Sequence, residues 1–243
     1  MSELIIELFS EEIPPNLQIN ARNQLKKIIS DELSSVNLPY KDFIIYSTPT
    51  RLTIFISGLS NKIKILPSEV KGPKLGVSQE VAQNFARSKN VSVEDLYEKK
   101  LEKGTFYFAK LKGTEINTEN ELIKIIPKSL NQISWKKSMK WSNYDLNWGR
   151  PLRSILSIFN KKHLKIKYSH LDSVDFTLIE NDTEIKKKKV RNFQEYFKFL
   201  KQNDIILDQN ERIKVISEKI KLISKSRSCV ELIDQSLLLE VSN

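Results

Sequence analysis

The stretch ELIIELFSEEIPP, Glu3 to Pro15, decides how this chain is read. Leu4, Ile5, Ile6, Leu8 and Phe9 are aliphatic or aromatic and only Glu7 interrupts them, so the run predicts a largely buried strand. Ser10, Glu11 and Glu12 follow, and then the pair Pro14 and Pro15. Proline is tolerated in a first helical turn, where its missing N–H has no intrahelical partner, and carboxylates ahead of it suit the positive end of the dipole. Leu17, Ala21, Leu25, Ile28, Ile29 and Leu33 then recur at three and four, one apolar stripe ending near Ser35. The nucleus is a strand feeding an acid-led helix that covers one face of a sheet. Glu7, Glu11 and Glu12 read most plainly as a solvated strand end complementing the dipole; a binding role is the alternative.

Outward from this nucleus, Asp42–Tyr46 and Arg51–Leu59 are β-rich runs on either side of a STPT turn. Pro49 pre-sets that turn, which presents Arg51 at a strand start, where a guanidinium can fork onto a carboxylate or a phosphate. Lys62 to Val70 reads as a further strand ending in a Lys71-Gly72-Pro73 turn. Val77–Ser88 and Ser92–Lys103 read as a pair of short helices, and Gly104–Gly113 as a strand between glycines whose aromatics serve the core. Thr118, Glu119 and Glu121 open a helix to Ile133 with a capping-box pattern, and Pro127 should kink it. WKKSMKW and the loop SNYDLNWGR lead to the strand PLRSILSIFN and a short partner, His163–Tyr168. Asp175–Ile185 is weakly β, and Lys186–Lys189 reads as a solvated loop. Asn192–Gln202 is amphipathic. Asp208 and Glu211 open a helix whose Ile213, Ile216, Ile220 and Ile223 should face inward, and Cys229, in an apolar flank, should be a buried, inert thiol. The closing SLLLEVSN is an apolar stripe without a cap, which suggests a longer natural chain.

Together these segments predict an α+β fold, a mixed and largely antiparallel sheet with packed helices, followed by a mostly helical C-terminal segment. We divide it as residues 1–190, the α+β domain, and 191–243, the helical segment. At 243 residues there is ample material for a core. No apolar run reaches the roughly 18 residues of a membrane span, and acids stand where a signal peptide carries a basic region, so a cytoplasmic protein with no membrane partner is expected. One cysteine and two histidines, His163 and His170, make disulfide, metal and triad chemistry improbable.

The net charge is +10, and 32 of the 40 basic residues are lysine, which AT-rich coding alone could produce. A coding bias would spread the excess evenly. Instead, residues 121–168 hold 11 basic and 2 acidic residues, against 16 and 15 in residues 1–120 and 13 and 13 in residues 169–243. The same window holds all three tryptophans, Trp135, Trp141 and Trp148. Cations interleaved with aromatics suit a phosphate backbone with accessible bases. Candidate RNA-binding residues are therefore Arg51, Lys136, Lys137, Lys140, Trp141, Arg150 and Arg153, with Trp141 either stacking on a base or walling a site.

Several motifs, taken in order, resemble the N-terminal part of the β subunit of bacterial heterotetrameric glycyl-tRNA synthetase. Glu11-Glu12-Ile13-Pro14-Pro15 is like that family's Glu-Glu-Leu-Pro-Pro, and Thr48, Pro49, Thr50, Arg51 and Leu52 are like its Thr-Pro-Arg-Arg-Leu, with Thr50 in place of an arginine. Gly72-Pro73, Asn84-Phe85-Ala86-Arg87 and Lys103-Gly104 resemble its Gly-Pro, Gly-Phe-Ala-Arg and Lys-Gly. Lys137-Ser138-Met139-Lys140-Trp141 is like Lys-x-Met-Arg-Trp, and Arg150-Pro151 like Phe-x-Arg-Pro. The family's Gly-His-Arg-Phe has no counterpart in VDFTLIEN, near Asp175 to Asn181.

The resemblance covers about the first third of that subunit. It implies a part of a glycine–tRNA ligase that binds tRNA(Gly) and an α subunit within an α2β2 assembly. ATP, with magnesium, is then expected at the α subunit, with no cofactor, metal or catalytic residue in this chain, and the chain alone should not aminoacylate. Two other classes remain: a hydrolase that clears misacylated tRNA, and a free-standing RNA-binding module.

Overall fold

The computed structural model describes residues 2–65, 67–180 and 184–243. The elements in chain order are β1 (Ser2–Ser10), α1 (Pro15–Ser35), β2 (Asp42–Thr48), β3 (Arg51–Leu59), β4 (Lys62–Ile65), β5 (Ser68–Lys74), α2 (Gln79–Ser88), β6 (Leu96–Leu101), β7 (Gly104–Leu111), β8 (Thr114–Asn117) and α3 (Thr118–Asn131). They continue with β9 (Leu152–Phe159), β10 (Lys162–His163), β11 (Lys167–Tyr168), β12 (Leu171–Asp172), β13 (Phe176–Glu180), β14 (Ile185–Lys189), α4 (Phe193–Gln202), α5 (Gln209–Ser226) and α6 (Gln235–Ser242). The fold is α+β with antiparallel sheets, as expected. Two compact units form, residues 1–61 with 118–243, and residues 62–117. The boundaries between these units fall at 61/62 and 117/118.

In the larger unit five antiparallel strands run in the order β10-β9-β1-β3-β2. β1 lies at the centre, and Leu4, Ile5 and Ile6 are fully buried. A strand covered on both faces needs apolar residues at successive positions, which is why this run does not alternate. α1 buries Leu17, Ala21, Leu25, Ile29 and Leu33. A second cluster gathers Ile5, Tyr46, Leu156 and Ile158 of the sheet with Ile179, Val190 and with Tyr196 and Leu200 of α4. Phe193 stacks on Phe55 at 4.1 Å and closes this side.

The opening stretch is fixed by main-chain bonds at one end of the sheet. Ser10 N–H donates to Thr50 C=O at 2.9 Å, Ile13 N–H to Pro49 C=O at 2.6 Å and Glu11 N–H to Pro151 C=O at 3.0 Å. Three segments far apart in sequence are thereby held side by side. After α3, which runs unbroken through Pro127, the chain is irregular until β9, apart from a bridge between Met139 and Trp148. Thr118 N–H donates to Asn61 C=O at 3.0 Å and its hydroxyl to Ser60 C=O at 2.6 Å, so the chain leaves and rejoins this unit at one point.

The smaller unit contains the three-stranded sheet β5-β7-β6, the pair β4-β8 and α2, whose Ala82 and Ala86 are buried. The ring of Phe85 in α2 stands where a side chain on Gly72 would begin, 2.5 Å from the ideal Cβ, so only glycine allows this approach.

Five expectations change. Ser92–Lys103 is not a helix: one 3-10 turn, Val93–Asp95, precedes β6, because β7 offers Leu96–Leu101 a full ladder. Lys62–Val70 is two strands separated at Pro67, and Lys71–Pro73 lies within β5, which shifts register there. Lys186–Lys189 is part of β14, paired with β13, with alternation hidden because every side chain on it is long and solvated. α5 buries none of its isoleucines. Cys229 is exposed, and Val230 and Leu232 beside it are 91% and 96% exposed, so an apolar flank that packs on nothing cannot bury it. Asn181, the last residue of the stretch lacking the Gly-His-Arg-Phe motif, lies outside the described residues, as do residues 182 and 183 of the weakly β segment. Among the described residues no helix is long and apolar enough to cross a membrane.

Candidate nucleic-acid interface

Glu7 is the one acid inside the apolar run of β1, and it is 1% exposed. A carboxylate cannot remain charged there without partners. Arg51, 3% exposed, supplies its Nε at 3.1 Å, the Thr177 hydroxyl donates at 2.7 Å, and the Tyr196 hydroxyl donates at 2.6 Å. Arg51 also donates to Thr50 Oγ1 and to the Leu178 carbonyl, and its guanidinium lies 4.8 Å over the Phe9 ring. Burial and the Glu7 charge push the Tyr196 phenol well above its ordinary value. Glu7 is therefore not a solvated strand end. Arg51 meets a carboxylate of its own fold through Nε alone, its other nitrogens going to Thr50 and the Leu178 carbonyl, rather than standing out toward a ligand. The lone charge amid buried positions was the signal for this network, since a buried charge has to be paired.

Beside that pair the end of the sheet opens into a cleft of about 1140 Å3, lined by Glu11, Glu12, the Thr48–Arg51 turn, Arg150, Arg153, Arg212 and α6. Its cations are largely engaged. Arg153 forms a two-pronged pair with Glu180, which holds that carboxyl below the usual carboxylate range. Arg212 donates to the carbonyls of Ser47, Ile206, Leu207 and Ser242, and burial lowers it to about 10.

A smaller hollow of about 680 Å3 adjoins it, and Lys136, Lys137 and Arg150 line it together with Pro14, Asn16, Leu17, Ile19 and Asn20. Among the described residues none of these three cations has a carboxylate partner; Arg150 donates only to the Gly149 carbonyl, at 2.8 Å. The hollow also meets the start of α1, which has no acid in its first turn and no side-chain cap. The partial positive charge of the helix start and three cations without carboxylate partners among the described residues converge there, which is chemistry for phosphate oxygens.

The aromatics of the basic window divide. Trp148 is buried and meets Trp135 edge-on at 5.0 Å and Tyr168 at 5.9 Å. The Trp135 ring lies where a Cβ on Gly149 would start. These two tryptophans therefore build the loop that carries Arg150, and are not free to stack on bases. Trp141 is half-buried and meets His170 edge-on at 5.9 Å, while His170 stacks flat on Tyr144 at 3.6 Å and 5°; Tyr144 is exposed. Lys140 faces Asp145 at 3.5 Å. Of the seven expected site residues, the structure brings Lys136, Lys137 and Arg150 together, commits Arg51 and Arg153 to carboxylates, and sets Lys140 and Trp141 apart. His170 and Tyr144 were not anticipated, because the contact that makes them a stack joins two distant segments. Among the described residues no group of three His, Cys, Asp or Glu side chains could hold a metal.

A sequence profile of the family described as glycyl-tRNA synthetase beta subunit matches residues 4–243. The glycine–tRNA ligase beta subunit of Rickettsia canadensis (strain McKiel) is 32% identical over 242 residues, all of this chain and 36% of that protein. That of Rickettsia bellii (strain OSU 85-389) is likewise 32% identical over 242 residues, and that of Rickettsia prowazekii (strain Madrid E) is 34% identical over 215 residues, 88% of this chain and 32% of the relative. The chain thus spans about a third of the length of the relatives it matches.

Proposed function

The chain belongs to the glycyl-tRNA synthetase beta subunit family, and we propose that it is a tRNA-binding and partner-binding portion of a glycine–tRNA ligase working in the cytoplasm. In this reading the reaction joins glycine to tRNA(Gly) with ATP, adenylation belongs to an α subunit, and this chain holds the phosphate backbone. The observation that carries it is the convergence on one hollow of Lys136, Lys137 and Arg150, which have no carboxylate partner among the described residues, against the uncapped start of α1.

The surrounding geometry supports the same reading. Trp135 and Trp148 hold the Gly149-Arg150 peptide, so the guanidinium is presented from a packed loop. A pre-positioned cation loses less freedom on binding than one on a mobile chain. The half-buried Trp141 and the exposed Tyr144 lie in the same window, and with His170, which stacks on Tyr144, they offer flat faces to an unpaired base.

The test is tRNA affinity over a salt series. Lys136→Glu with Lys137→Glu should lower affinity, and each phosphate no longer neutralised should reduce the salt slope by about 0.9 where the RNA is paired. Melting should not move, since neither side chain has a carboxylate partner among the described residues. Affinity and slope that both stay unchanged would overturn the assignment. Pyrophosphate exchange with glycine by the isolated chain would overturn the division of labour with the α subunit.

A further inference from the structure

Alternate residues of a strand share a face, and so do directly opposite residues of an antiparallel pair. On β7 the register sets Phe108 opposite Tyr97 of β6 and Lys71 of β5, and sets Phe106 opposite Lys99 and Lys74. Lys110, two residues further, lies opposite Glu69. One face of this sheet therefore carries Phe106, Phe108 and Tyr97 through its middle, with four lysines around them and Glu69 as the carboxylate among them. Val70, Leu96 and the fully buried Ala109 form the other face.

The lysine tips lie on the rings. Nζ of Lys71 is 3.6 Å from the Phe106 centroid and Nζ of Lys99 is 5.3 Å from that of Phe108, while the Tyr97 and Phe108 rings are 6.0 Å apart. Lys71, Lys74, Lys99 and Lys110 are all exposed, Lys99 pairing with Glu69 at 2.8 Å; Phe106 and Tyr97 are half-buried, and Phe108 beneath them is buried. Next to Tyr97 and Lys110 is a hollow of about 1110 Å3 that Lys89, Asn90 and Lys112 also line. Residues 62–117 hold 11 basic and 7 acidic residues, whereas residues 1–61 hold 5 and 7. The near-neutral balance of the first 120 residues is an average over a slightly acidic stretch and a basic unit.

The half-buried rings of Phe106 and Tyr97, seated on the buried Phe108 and capped by exposed ammonium groups, match the needs of unpaired nucleotides. A base can take the ring face, and the displaced lysine is left beside the phosphate it then neutralises. Duplex RNA keeps its bases within the stack and has nothing to offer the rings. A protein partner would call for a centre depleted of charge, and this centre is bordered by four lysines. We propose that the Phe106–Phe108–Tyr97 face binds a single-stranded segment of RNA. It is a second surface, on the other unit, and it rests on the tRNA reading only for the choice of RNA over DNA.

The test uses the full chain, a short uridine oligonucleotide, ultraviolet crosslinking and peptide mapping. Crosslinks are expected within residues 104–111. Phe106→Leu, which keeps apolar bulk but removes the ring, should abolish them and weaken binding about tenfold, the order of one stacked base. Lys71→Gln should reduce the salt slope by about 0.7, the single-strand value for one phosphate. If Phe106→Leu also lowers the melting temperature, the exposed lysine decides. Crosslinks confined to residues 132–153 would overturn this proposal and leave the tRNA reading standing, whereas crosslinks within 104–111 support it and leave the tRNA reading to the tRNA affinity of the Lys136→Glu, Lys137→Glu variant. Unchanged binding by both variants, as a protein-docking face would give, overturns it, and so does a duplex that competes as well as the single strand.

Discussion

Glu7 shows how much one buried side chain can carry. Its charge is offset by Arg51 and by hydroxyls from Thr177 and Tyr196, so neutralising it leaves a guanidinium buried without a counter-charge. Glu7→Gln should lower unfolding free energy by about 3–5 kcal/mol, measured by urea denaturation. Tyr196→Phe removes one hydrogen bond to a charged group and should cost about 1.5–3 kcal/mol at neutral pH. The same hydroxyl gives a pH dependence with a definite sign. Burial raises Tyr196 well above 10 and pushes Tyr168 up to about 12, so above pH 10 the unfolded chain releases protons that the fold retains. That part of the stability is complete below about pH 10 and is lost as pH rises toward about 12. Tyr196→Phe should therefore start lower and decline less steeply over that range; an unchanged alkaline decline would show that Tyr196 is not its source.

At the scale of elements, two positions separate packing from charge. Ser129 is fully buried in α3, and its hydroxyl has no hydrogen-bond partner among the described residues. Ser129→Ala removes an unsatisfied polar group and installs the best helix former, so it should raise stability by about 1 kcal/mol in a thermal or urea melt. Gly149 bears on function without carrying charge. A methyl group there meets the rigid Trp135 ring, so Gly149→Ala should cost about 1–3 kcal/mol through overpacking and displace Arg150. tRNA affinity should fall with it, whereas Gly76→Ala, which strains a backbone at φ +93° but whose added methyl group meets nothing within 4 Å, should leave affinity unchanged. Equal affinities for the two variants would show that the tryptophan-braced loop does not position the guanidinium.

For the whole molecule, the close approach of Asn61 and Thr118 predicts that residues 62–117 can be replaced by a short flexible linker. The remaining unit should keep a cooperative thermal transition by circular dichroism; loss of that transition would show that the larger unit does not fold alone. The local pattern of the sequence determined the central strand, α1, the β2–β3 hairpin and the α+β class, because each rests on an apolar period that a short window contains. It also located the basic window, since charge is additive along a chain. What it could not supply were pairings between distant segments. The residues of β6 do not alternate strongly and by themselves suggest a helix, and only the ladder to β7 makes them a strand. Glu7 and Arg51 are 44 residues apart, and whether each meets solvent or the other depends on α4 and β13 closing over them. The same limit applies to the cations: sequence counts them, but tertiary contacts decided that Arg51 and Arg153 are paired while Lys136, Lys137 and Arg150 have no carboxylate partner among the described residues. A side chain's freedom to bind depends on which partners the fold brings within hydrogen-bonding distance, and that is a property of three-dimensional packing.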